Sequence, residues 1–87
     1  MQPIKLYTIY TEATNNEAVC AILGKYFDSF TVIPATGVWK AHEEQPAVIH
    51  IITFDRAAVY LATHEIKLRN SQDSVLVTEL AITHNLV

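Results

Sequence analysis

The sequence predicts an α+β fold of the ferredoxin-like βαββαβ kind, a two-layer sandwich with two helices on one face of a four-stranded antiparallel sheet. Three observations predict it. Two stretches place apolar residues at three- and four-residue steps, the period of an amphipathic helix. Four others are extended and rich in β-branched and aromatic residues. Their order is strand, helix, strand, strand, helix, strand, the split βαβ pattern. Right-handed crossovers then put both helices on the same face, with the first and third strands central and the second and fourth at the edges.

The first strand is Ile4 to Thr11, and Met1-Gln2-Pro3-Ile4-Lys5 reads as its approach, without the charged and apolar regions of a signal peptide. Thr14-Asn15-Asn16-Glu17 has the spacing of a capping box, with Thr14 as N-cap. The helix behind it carries the stripe Val19, Ile22, Leu23, Tyr26, Phe27 and Phe30. Gly24 lies inside that stripe and suggests a close approach of helix to sheet. Thr31 to Lys40 is extended; Pro34 lacks an N–H and Gly37 suggests a bulge, so this is an edge strand. His42 to Pro46 reads as a polar, solvated connection. Ala47 to Phe54 is the strongest strand. Asp55 caps a second helix with the stripe Ala58, Val59, Ala62 and Ile66, an i,i+4 pair Glu65–Arg69, and an end at Asn70-Ser71. Ser74 to Ile82 is the last strand, and Thr83 to Val87 a short tail.

With 87 residues, 51% of them apolar and 17% charged, residues 1–87 form a single domain of the globular class. The six basic residues are scattered and the net charge is −3, so no positive stripe for nucleic acid is present in the sequence. One cysteine, Cys20, makes no intrachain disulfide and reads as a small buried hydrophobe of the first helix. This pattern, with no apolar run long enough to span a membrane, predicts a cytoplasmic protein. The four histidines show no metal-ligand spacing, and no nucleophile motif, P-loop or glycine-rich fingerprint is found. The expectation is therefore a non-enzymatic protein with no catalytic residues, metal site or cofactor.

The central strands do not alternate as a sheet with one wet face should. Large apolar groups project from both sides of each, and helices cover only one side. A second copy of the chain is the expected cover for the other side, as a dimer or trimer. Its interface is predicted at Tyr7, Ile9, Val48, His50 and Ile52. If Ile49 and Ile51 face the helices, His50 lies on the open side with Val48 and Ile52. A binding site is predicted at Thr36, Gly37, Trp39, Lys40 and Gln72: a flat indole and an adjacent cation suit a planar anionic ligand. Trp39 at an edge could equally anchor a partner protein.

The stretch Thr36-Gly37-Val38-Trp39-Lys40, the Pro-initiated strand from Pro46, and Gln72-Asp73-Ser74-Val75-Leu76-Val77-Thr78 together resemble elements of short uncharacterised bacterial and bacteriophage proteins. Those proteins carry a T-G-x-W-K-like element and a Q-E-A/S-V-L-V-T-like element. Asp73 departs from the second, and His50 stands where such sequences often carry an acid. More remotely, the organisation is similar to that of the nitrogen-regulatory PII proteins and the CutA family. That resemblance implies trimers packed through sheet faces and, for the PII group, nucleotides in clefts between subunits. The long exposed loop of PII proteins is missing here. The leading expectation is thus a small homo-oligomeric protein binding an anionic ligand or regulatory metabolite near subunit boundaries. The alternative is a protein-interaction module, such as a phage-encoded inhibitor of a host protein, and a small enzyme is the third.

Overall fold

In the computed structural model, which describes residues 3–87, the first strand β1 runs Lys5–Glu12. The expectation for Met1 and Gln2 lies outside the described residues. Helix α1 spans Asn16–Gly24, followed by β2 (Thr31–Pro34), β3 (Gly37–Trp39), β4 (His42–Glu44) and β5 (Pro46–Thr53). Helix α2 (Arg56–Arg69) and β6 (Leu76–Ala81) complete the order. The main sheet has the antiparallel order β2-β5-β1-β6, so the two strongest strands are central, as expected.

Register decides which side chains are buried. Tyr7 faces Ile51 and Ile9 faces Ile49 across the β1–β5 pair. All four are buried, in one cluster with Val19 and Leu23 of α1 and Val59, Ala62 and Ile66 of α2. Both helices therefore cover this one face. The expected interface positions Tyr7 and Ile9 are corrected by this register: their side chains belong to the core beneath the helices. The residues of β1 on the open face are Leu6, Thr8 and Tyr10, opposite Ile52, His50 and Val48. Val48, His50 and Ile52 lie on the open face, with Ile49 and Ile51 toward the helices. Burial of the Tyr7 phenol also raises its pKa above the ordinary value, with the Glu79 charge adding to the effect.

The helix boundaries differ from expectation for local reasons. Asn15, not Thr14, is the N-cap of α1, accepting at 3.0 Å from the Ala18 N–H. The Thr14 hydroxyl is used elsewhere, donating to Asn70. Helix α1 ends at Gly24, the weakest helix former in the stripe. A Cβ added at Gly24 would meet nothing within 4 Å, so no close helix–sheet approach depends on it. Tyr26 and Phe27 still reach the core, because their N–H groups fold back onto the Leu23 carbonyl at 3.0 and 2.9 Å. Asp55 caps α2 as expected, accepting from the Ala58 N–H at 2.9 Å.

Glu65 does not pair with Arg69. Both Lys25 Nζ and Tyr26 OH donate to its carboxylate, tying the end of α1 to α2. These bonds, the one from Lys25 foremost, hold the Glu65 carboxyl below the usual carboxylate range. Arg56, at the start of α2, donates to Glu79 of β6 at 3.0 Å and lowers that carboxyl likewise.

Two predictions follow from this packing. Leu23→Ala is expected to lower unfolding stability in urea by about 2–5 kcal/mol, as for fully buried leucines. Glu65 ionises more readily folded than unfolded, so its contribution is present above the ordinary carboxylate value and is lost as pH falls through the lowered one. Glu65→Gln should therefore show a smaller drop in urea midpoint between pH 5 and pH 3 than the unmodified chain; an equal drop would remove this pair from the account.

Candidate functional site

Pro34 ends β2, and the chain then leaves the main sheet. Residues Gly37–Trp39 and His42–Glu44 form a separate two-stranded ribbon, with Trp39 opposite His42. The expected single strand Thr31 to Lys40 is thus broken at Ala35-Thr36, and His42-Glu43-Glu44 is the ribbon's return strand and not a loop. Gly37 pairs with Glu44 in the ladder, without the expected bulge. The ribbon turns on Lys40 and Ala41, whose φ values are 49° and 64°. Two left-handed residues suit the two-residue hairpin turns that match strand twist. Neither is Gly, so the turn carries steric strain of about 1–2 kcal/mol per residue.

The ribbon overhangs an open groove of ≈ 650 Å³ beside the end of β1. Gly37, Val38, Trp39 and Glu44 form one wall. Tyr10 to Thr14, Gln72, Ser74 and Leu76 form the other. Of the five expected binding residues, Gly37, Trp39 and Gln72 line this groove, although Trp39 and Gln72 lie far apart in sequence. Lys40 sits at the ribbon's tip with Nζ 5.6 Å from the Trp39 ring centroid, a cation–π distance. Thr36 is exposed and precedes the ribbon, outside the groove's lining. Trp39 remains 64% exposed, so it is not core packing for its own chain. A second cleft of ≈ 320 Å³, near Tyr26, Phe27 and Phe54 at the other end of β5, contains none of the expected residues.

A polar network that sequence reasoning missed forms the groove's base. Gln72 Oε1 accepts from the Thr11 hydroxyl at 2.5 Å, from the Glu12 N–H at 3.4 Å and from Asn70 Nδ2 at 3.3 Å. Asn70 Nδ2 also donates to the Glu12 carbonyl at 3.3 Å and to Thr11 Oγ1 at 3.2 Å. The Thr14 hydroxyl donates to Asn70 Oδ1 at 3.1 Å. The backbone of Glu12 fixes both amide orientations, because its N–H requires an acceptor and its carbonyl a donor. Asn70 reads in sequence only as a helix stop; its partners Thr11, Glu12 and Thr14 lie about sixty positions away, beyond any local signal.

Electrostatically the groove is mixed. Glu12 and Glu44 line it, and Lys40 stands beside it. Among the described residues, no cluster of three or more His, Cys, Asp and Glu side chains is arranged to hold a metal ion. No helix among them is long and apolar enough to cross a membrane.

No protein-family model matches the chain, and no match is found among curated proteins. Solved structures do match in shape. A DUF3240 family protein from Shewanella baltica OS155 superposes with a TM-score of 0.77 at 13% identity, covering 100% of this chain and 98% of that one. CPII, a nitrogen regulatory PII-like protein from Thiomonas intermedia K12, bound to ADP, AMP and bicarbonate, gives 0.67 at 15% identity over 97% of both chains. The divalent ion tolerance protein CutA1 from Ehrlichia chaffeensis gives 0.60 at 18%, covering 99% of this chain and 87% of that one. At these identities the likeness is one of fold. The remote similarity of organisation to PII and CutA proteins, expected from the element order, is present at that level.

The network makes a testable statement about its two amides. Asn70→Asp replaces a donor with an acceptor and is expected to cost about 1–3 kcal/mol in urea unfolding at pH 7. Gln72→Glu keeps the acceptor and should cost less; the reverse order would mean that the amides are oriented the other way.

Proposed function

We propose that this chain is the subunit of a small homo-oligomeric binding protein that assembles through its open sheet face and holds a small anionic ligand in the adjoining groove. The observation that carries this reading is continuity. Tyr10 and Leu76 face each other on the open side of the sheet, and both also line the groove. A copy seated on the face would close the groove along that side. The face itself asks for cover: Ile52, Leu76 and Leu80 are 57%, 60% and 63% exposed, with Leu6, Val48 and Tyr10 among them. Exposed apolar rows of this kind mark an interaction surface.

The groove supports a ligand of particular character. The Trp39 indole offers a stacking surface, and the neighbouring Lys40 ammonium a positive charge. Glu12 and Glu44 accept hydrogen bonds from ligand donors and repel negative charge near them. A planar ligand with its anionic group toward Lys40 satisfies both. The hydroxyls of Thr11 and Thr14 are engaged in holding Gln72 and Asn70, which favours binding over nucleophilic chemistry. The ligands named for the Thiomonas neighbour make ADP, AMP and bicarbonate the first probes.

Light scattering coupled to size exclusion at micromolar concentration is expected to give a multiple of the subunit mass, reduced toward one subunit by Leu80→Asp. A monomeric unmodified chain would sink the assembly half of the proposal. Trp39 is the sole tryptophan, so its emission reports the groove directly. Titration with AMP or ADP should shift it, and Trp39→Ala should abolish the matching thermal stabilisation while leaving the fold intact. Unchanged emission with all three probes at millimolar concentration would remove the proposed ligand class.

A further inference from the structure

Facing residues of antiparallel strands project from the same side, so the register sorts the open face into rows. One row is Ile33, Val48, Tyr10 and Leu76. The next is Thr31, His50, Thr8 and Thr78. The third is Ile52, Leu6 and Leu80. A band of three threonines and one histidine therefore crosses the sheet between two apolar rows. Thr8, at its middle, is already only 7% exposed in the isolated chain.

We infer that the partner on this face is a second copy of the chain, docked so that the polar band lies inside the interface, and that neutral His50 is the group that sets this docking and makes it acid-labile. The inference rests on the assembly proposed above and specifies its contacts. Charge favours a copy over a charged partner. Each chain carries a net charge of −3, so a face charged like the whole would repel its duplicate. No Lys, Arg, Asp or Glu occupies any of the three rows.

The groups facing His50 are Thr8 from β1 and Thr31 from β2, with Thr78 at the far end of the band. Tyr10 is in the adjacent row, and Glu12 lies one row beyond it. Lys5 and Glu79 alternate onto the other side of the sheet, the helices' side. A docked copy adds only the same band, its own His50 included. A neutral imidazole donates from one nitrogen and accepts at the other, and threonine hydroxyls serve either role. A protonated ring would bury a positive charge with no carboxylate facing it. The assembled form therefore binds fewer protons than the free subunit. Protonation of the ring therefore opposes assembly, which weakens in acid.

Sedimentation velocity on dilution series at pH 7.5 and pH 5.0 tests this, with circular dichroism verifying the fold at both. The unmodified chain should dissociate at least about tenfold more readily at pH 5.0, the factor that one pKa unit represents. His50→Gln, or His50→Thr should the first not fold, should assemble equally at both values. Equal assembly of the unmodified chain at the two pH values would overturn the His50 inference and leave the assembly standing. Acid dissociation that persists in both His50 variants would also overturn it and assign the effect to His42, His64 or His84. A monomer at both pH values would overturn the assembly reading and this inference together.

Discussion

The β1–β5 register is the constraint on which the rest of the structure depends. Pairing Tyr7 with Ile51 and Ile9 with Ile49 commits the odd-numbered residues of both central strands to the helices. The even-numbered residues then have no choice of side. A slip of one position would exchange the two sets entirely. Because Leu6, Tyr10, Val48 and Ile52 are also large and apolar, either exchange would leave an oily surface behind. The two α-helices cannot resolve this within one chain, since both pack on the same face. The open face is thus a consequence of how the core forms and of strands that are apolar on both sides.

The second consequence is where β5 begins. The Ala35 N–H donates to the Pro46 carbonyl at 3.0 Å, closing the main sheet just before the chain departs into the ribbon. A short two-stranded ribbon is marginal on its own in water. Here it also turns on two strained non-glycine residues and exposes Val38 and Trp39. Strain of this kind persists where the surroundings hold it in place and tends to gather at functional sites. The groove lies between this costly element and the rigid amide network of Thr11, Asn70 and Gln72.

Much of this was legible in the residues. Periodicity located both helices and all four sheet strands, and Pro34 identified β2 as an edge. Asp55 announced its helix because an N-cap is a local, short-range device. Thr14 failed as a cap for the converse reason: its hydroxyl finds a partner in Asn70, across the fold. The ribbon was invisible because Lys40-Ala41 lacks the Asn-Gly chemistry that usually marks such a turn. Tyr7 and Ile9 were assigned to the wrong side because a strand apolar on both faces carries no period-two signal to choose between them. Trp39 and Gln72 line the same groove, and the network behind Gln72 depends on contacts only the folded chain creates.

The central claim is that the open face of the sheet is covered by a copy of the same chain. Isotope-filtered nuclear Overhauser spectroscopy on a mixture of labelled and unlabelled protein tests it most directly. The account predicts intermolecular cross-peaks to the methyl groups of Ile52, Leu76 and Leu80. Cross-peaks confined to Leu61 and Leu68, which are exposed on α2, or none at all at millimolar concentration, would contradict it.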